Sequence, residues 1–168
     1  KKIYLISNFN LILNQSKKLN FPFKINKVNS INDRNKESSL KILDVSLKYK
    51  NPFKVPFKEA SKFINKSLNL AHNISTGKNV LGLINCPVNK NLLKNRNIGV
   101  TEFLAKKCDV KNNSEVMLIK SKNFAVSPIT THIDVKNVSK SIKSQLIINK
   151  IYTIHKFYKK FFQKIPKI

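Results

Sequence analysis

Lys2-Ile3-Tyr4-Leu5-Ile6-Ser7, followed by Asn8 and then Phe9 to Leu13, is the stretch that decides the fold. The apolar run Ile3 to Ile6 predicts a buried strand. Asn8 is placed to cap a helix whose Phe9, Ile12 and Leu13 share one face. Phe23 to Val28 then alternates apolar residues with Lys and Asn, as a half-exposed strand does. A strand, a helix and a second strand in that order point to an α/β protein.

The pattern continues along the chain. Asn29 to Ser39 is polar and predicts a loop. Leu40 to Leu47 predicts a strand. Pro52 and Pro56 punctuate an extended stretch. Lys58 to Ile74 predicts a helix, with Ala60, Phe63, Ile64, Ser67, Leu68 and Ala71 at helical spacing and Gly77 placed for a left-handed cap. Val80-Leu81-Gly82-Leu83-Ile84, within Asn79 to Asn85, predicts a central strand apolar on both faces, ended by Pro87. Thr101 to Cys108 predicts a short helix capped by Thr101. Val116 to Ile119 and Phe124 to Ile129 are separated only by Lys120-Ser121-Lys122-Asn123, too short for a crossover helix. They must pair antiparallel, so the sheet is expected to be mixed and mostly parallel. Asp134 to Ile142 predicts a short helix opened by Asp134, and Ile147 to Phe162 a longer amphipathic one.

The 168 residues suffice for one domain or parts of two. With 41% hydrophobic residues the chain is globular rather than disordered. It has no Trp and 11 Phe, so aromatic packing is expected to rest on Phe. No apolar run approaches the ~18 residues of a membrane span, and the start lacks the pattern of a signal peptide, so a cytoplasmic protein is expected. Cys86 and Cys108 match neither a metal spacing nor a disulfide framework and read as reduced thiols.

A net charge of +25 raises the question of nucleic acid. Only Arg34 and Arg96 are arginines, so 31 of the 33 basic residues are Lys, and Arg is the usual reader of phosphates and bases. The lysines are spread evenly and accompany 23 Asn and many Ile, residues that share AT-rich codons. The charge therefore calls for no specific nucleic acid, although weak nonspecific binding at low salt is expected.

Several motifs have both a plain and a functional reading. His72 and His155 lie in amphipathic helices and read as surface or boundary residues. His132 follows a strand and the pair Thr130-Thr131; it reads equally as a hydrogen-bonded loop residue or as a ligand-handling one. This chain offers no second and third ligand to complete a metal site with it. Asn85 to Lys90 reads as an ordinary turn with a surface lysine, or as a holder of an anionic group through Asn89 and Lys90; in so lysine-rich a chain the ordinary turn is favoured. Gly99-Val100-Thr101-Glu102-Phe103 reads as a helix start, with Thr101 as cap and also as a hydroxyl donor to a bound phosphate. With three glycines in all, no Gly-rich phosphate loop is present. Cys86 reads as a small buried residue at a strand end, without a catalytic role.

The run Leu83-Ile84-Asn85-Cys86-Pro87-Val88-Asn89-Lys90, then Gly99 to Leu104, Val116-Met117-Leu118 and Thr130-Thr131-His132, resembles the 4-hydroxythreonine-4-phosphate dehydrogenase family in order and spacing. The resemblance is strongest over 80–140. It implies an isocitrate/isopropylmalate dehydrogenase-like α/β fold, with 1–97 part of a first domain and 98–168 part of a second, cleft-forming one. It implies oxidation of 4-phosphooxy-L-threonine, followed by decarboxylation, on the way to pyridoxal phosphate. NAD or NADP serves as oxidant, and a divalent metal (zinc, magnesium or cobalt) is held by three histidines in a homodimer with a shared active site. On this resemblance His132 corresponds to the first metal histidine and Thr101 to a substrate-binding threonine.

No catalytic residue and no cofactor-binding residue is assigned. A histidine of the family's motif is replaced by Val100, which carries no proton, and Cys86 stands where a Gly is usual. The family's N-terminal Gly-Asp-Pro-Ala-Gly-like segment has no counterpart. Both ends are expected to be cut: the sequence opens without Met, and Lys164-Ile165-Pro166-Lys167-Ile168 reads as the opening of another strand. The 168 residues alone are expected to be inactive. The rival readings are a relative that kept the fold and lost the chemistry, and a basic nucleic-acid-binding protein.

Overall fold

The computed structural model describes residues 2–21, 23–33, 39–93, 99–110, 114–131 and 133–168. They form two compact units, one running to Phe103 and one over Leu104–Ile168.

The first unit begins with strand β1 (Tyr4–Ser7) and helix α1 (Phe9–Lys18), followed by β2 (Ile25–Val28) and β3 (Leu40–Asp44). The three strands form a parallel sheet in the order β1-β3-β2. Tyr4 lies opposite Lys41 and Ser7 opposite Asp44; on the other edge Ile25 lies opposite Leu40 and Val28 opposite Leu43. The α/β class read from the sequence is the class observed. Asn8 caps α1 as its position predicts, accepting the Leu11 N–H at 2.9 Å.

The centre of the sheet is not where the sequence placed it. The run Val80 to Ile84 forms no strand, and Leu81 and Ile84 are 74% and 91% exposed. A run apolar on both faces becomes a central strand only when partners flank it on both edges, and β3 holds that position here. Lys41, Ile42 and Leu43 are buried in consequence, Ile42 completely. The Lys41 ammonium lies over the ring of Tyr4, 5.8 Å from its centroid.

Helix α2 (Phe57–Ser75) buries Asn65, Leu68 and Ala71 along one face. Leu68 and Ala71 join Leu11, Val28, Ile42, Leu43, Val45 and Leu93 as the buried hydrophobic residues. None of the 11 Phe is buried, so the core is aliphatic, and the aromatic packing, which does involve Phe as composition led one to expect, lies among Phe157 to Phe162, outside that core. Gly77 does not take the left-handed cap: no glycine has positive φ. The helix closes instead with its Thr76 N–H on His72 O and the Gly77 N–H on Ile74 O, bonds that leave φ negative.

A 3-10 turn, Lys90–Leu92, precedes helix α3 (Val100–Lys107). In the second unit β4 (Ile119–Lys120) and β5 (Ala125–Val126) pair antiparallel, Ile119 opposite Val126. The hairpin is observed as its short connection requires, but as a two-stranded sheet of its own rather than part of a mixed one. Residues 134–142 are not one helix. They form a 3-10 turn, Val135–Asn137, and a single-turn α4 (Val138–Ser141), and the Asp134 side chain makes no cap bond. Helix α5 (Ser144–Phe162) starts three residues before its expected bound. Among the described residues of this unit the one buried side chain is Lys150, which donates to Glu115 O at 2.7 Å.

Candidate functional site

Two places in the first unit gather polar groups at element ends. The first lies where β1 and β3 finish. Asp44 Oδ1 accepts the Phe9 N–H at 2.8 Å, and Asp44 Oδ2 pairs with Lys27 Nζ at 2.7 Å. Asn8 Nδ2 donates to Val45 O at 3.0 Å. Burial pushes the Asp44 carboxyl up, but the Lys27 hydrogen bond, the Phe9 N–H and the Lys27 charge outweigh it and hold it below the ordinary aspartate value. The start of α1 therefore already carries a carboxylate from the chain itself. A second anion there meets a negative charge, so this strand end is structural.

The second place lies between the 3-10 turn and α3. Asn89 Oδ1 accepts the Asn91 N–H at 3.0 Å, and Lys90 O accepts the Leu93 N–H at 3.0 Å. Leu93 is 3% exposed and roots the turn in the core. Two side chains of α2 reach the same carbonyl: Ser61 Oγ donates to Leu92 O at 2.6 Å and Asn65 Nδ2 at 3.1 Å. The turn is thus fixed at its cap, at its root and at its exit.

Lys90 is carried by this turn toward the start of α3. A Cβ placed on Gly99 would lie 3.9 Å from Lys90 Cε and 2.7 Å from Glu102 Oε2. Glycine there leaves room for both side chains against the backbone. Phe103 N–H bonds to Gly99 O at 3.0 Å, so α3 is entered at Val100 and Thr101 lies inside the first turn instead of capping it. The Thr101 side chain is exposed, and Val100 beside it is half-buried. The Lys90 side chain and the Glu102 carboxylate thus both lie against Gly99, at the positive end of the α3 dipole, and Thr101 is in the same first turn.

His132, expected as a metal ligand, lies outside the described residues. Among the described residues no three His, Cys, Asp or Glu side chains come together as a metal cage. They therefore do not by themselves supply a site for a divalent ion. His72 Nδ1 lies 3.3 Å from Asn73 Oδ1 on α2, and His155 is half-exposed on α5. Cys86 is exposed rather than buried, because the strand expected to end at it does not form; Cys108 is exposed as well. Ser61 and Asn65 were not singled out by the sequence reading. Their signal is a polar pair four residues apart on the face of α2 that Leu68 continues. Among the described residues no helix is long and apolar enough to cross a membrane.

These features define an α/β protein with a basic turn set against a helix start. Residues 1–168 match the family described as pyridoxal phosphate biosynthetic protein PdxA, and the chain belongs to that family. It is similar to the 4-hydroxythreonine-4-phosphate dehydrogenase of Aquifex aeolicus (strain VF5), 35% identical over 95 residues. That match covers 54% of this chain and 29% of the relative, so the chain spans less than a third of the length of the relative it matches.

Proposed function

We propose that this chain supplies part of the substrate-binding half of a dehydrogenase acting on 4-phosphooxy-L-threonine in pyridoxal phosphate biosynthesis. The observation that carries this reading is the approach of Lys90 to the first turn of α3, in a chain whose family and relative are named for that pathway and activity. Lys90 attracts the phosphate group as a point charge, and Thr101 offers a hydroxyl at the same helix end. The Glu102 carboxylate is opposite in sign to the substrate's ammonium group. With two opposite charges and a hydroxyl carried by one turn and one helix start, a small substrate bearing both signs is oriented before reaction.

The oxidant is NAD or NADP. When bound it would supply the acceptor for the hydride of the secondary alcohol, in an oxidation coupled to loss of carbon dioxide. His132 is the donor this chain contributes toward a divalent metal. Among the described residues no three such donors come together, so the roles assigned here beside that of His132 are those of Lys90, Thr101 and Glu102. The remaining cofactor and metal contacts and the homodimer rest on the family resemblance, and the cytoplasmic setting on the reduced thiols.

The test is calorimetric titration of the chain with 4-phosphooxy-L-threonine and with L-threonine. Phosphate-dependent binding that Lys90→Ala weakens about tenfold is the expected result, the loss of one charge-assisted contact. Equal binding of the two ligands, or none, sinks the reading.

A second reading rests on Val100. It cannot donate a hydrogen bond or carry a proton, so the chain also suits a relative that binds and no longer turns over. Val100→His, made in a full-length version of the protein, separates the two when substrate, metal and NAD are present. A gain of NADH formation over the unaltered chain favours an impaired enzyme. Binding without any gain favours the lapsed one.

A further inference from the structure

We infer that Ser61 and Asn65 are positioning residues that aim Lys90 at the bound phosphate, an inference that rests on the reading of Lys90 and Thr101 given above. Nothing in a helix-packing role requires two side chains of α2 to converge on one carbonyl. Ser61 Oγ and Asn65 Nδ2 both donate to Leu92 O, at 2.6 and 3.1 Å. Asn65 Nδ2 also donates to Ser61 O at 2.7 Å, so its amide is held by its own helix and cannot turn away. Asn65 is only 6% exposed, and a polar side chain at that depth is kept where its hydrogen bonds are needed.

The carbonyl they grip closes the turn that begins at Lys90. Leu92 N–H bonds back to Asn89 O at 2.9 Å, so fixing Leu92 fixes Asn89 and the Lys90 backbone with it. A lysine side chain has four rotatable bonds and loses its aim readily; a rigid base is what restricts the volume its ammonium visits. The pair also explains how an exposed turn stays set at the edge of α3 while its own side chains face water.

The test is a set of double-mutant cycles read by calorimetric titration with 4-phosphooxy-L-threonine and, separately, with inorganic phosphate. Ser61→Ala and Asn65→Ala are each expected to weaken binding about three- to fivefold, and Lys90→Ala about tenfold. On the Lys90→Ala background neither α2 change is expected to weaken binding further, because both act through that ammonium. Ser61→Thr keeps the hydroxyl and is expected to restore binding to within about twofold of the unaltered chain.

Additive losses, or full binding in Ser61→Ala, overturn the inference while leaving the role of Lys90 intact. A Lys90→Ala protein that binds as the unaltered chain does, or an unaltered chain that binds neither ligand, overturns the underlying reading and the inference with it. Should Asn65→Ala fail to fold, the Ser61→Ala and Ser61→Thr pair decides alone.

Discussion

The two units of this chain handle apolar surface in opposite ways. In the first, β3 is flanked by parallel partners on both edges, and α1 and α2 add Leu11, Leu68 and Ala71 to a closed aliphatic core. In the second, the two-residue strands β4 and β5 and the 19-residue α5 leave Phe124, Phe157, Phe161 and Phe162 exposed. The α5 rings pack mainly on one another, Phe157 and Phe161 with centroids 4.9 Å apart. Both units hold ample apolar residues. What separates them is the number of layers, since a face is buried only when a second element lies on it. Layering also explains where the candidate site lies. The turn carrying Lys90 can be rigid because Leu93 and α2 fasten it to the unit that has a core.

The comparison breaks most readily at Ile42, which is fully buried. Ile42→Ala is expected to cost about 2–5 kcal/mol, the sum of lost transfer energy and a cavity, read from denaturant unfolding. The same truncation at Phe161, which is 54% exposed, is expected to cost less than about 1 kcal/mol. Equal costs would mean that the second unit has a core of its own.

Next in size is the strand-end carboxylate. Asp44→Ala removes the acceptor from the Phe9 N–H and is expected to cost about 1 kcal/mol at neutral pH. Because the folded Asp44 carboxyl is held below its unfolded value, its stabilisation is present above the unfolded value. It is lost as pH falls through the folded one, in the acid range below about pH 4. The difference between unaltered and Asp44→Ala protein should therefore shrink in acid. A difference that stays constant down to pH 2 would assign the cost to packing.

Smaller again is the effect in the segment that the sequence marks as a central strand. Ile84→Asn is expected to change stability by less than about 0.5 kcal/mol, since Ile84 is 91% exposed. A loss comparable to that of Ile42→Ala would show that the segment is buried in solution. The smallest expected effect concerns charge. Binding to single-stranded DNA is expected to be detectable at low salt and to fade by physiological salt, as for scattered lysines. Tight binding that persists there would revive the nucleic-acid reading, which the exposed Phe and the contact of Lys156 with the Tyr152 ring on α5 otherwise leave open to test.

What the sequence disclosed follows the range of the forces involved. Asn8 as a cap and the hairpin connection at 120–123 are local, and both are observed. Centrality in a sheet is not local. Leu40-Lys41-Ile42-Leu43 contains a lysine and looks less central than Val80 to Ile84, yet its two partners bury it. The sequence cannot tell that Lys41 has a tyrosine ring to lie over, nor that Val80 to Ile84 lacks a ladder. The candidate site divides in the same way. Thr101 stands out because its type and neighbours are local, whereas Lys90 reads as an ordinary surface lysine, since the grip of Ser61 and Asn65 on its turn comes from about thirty residues away.

The central claim is that the Lys90 turn and the start of α3 together receive a phosphorylated substrate. It is tested most directly by following backbone amide resonances while 4-phosphooxy-L-threonine is added. The account predicts shifts concentrated at Asn89 to Leu92 and Gly99 to Phe103, and reduced in both places by Lys90→Ala. Shifts spread over the lysines of α5, or absent from those two segments at saturating ligand, would contradict it.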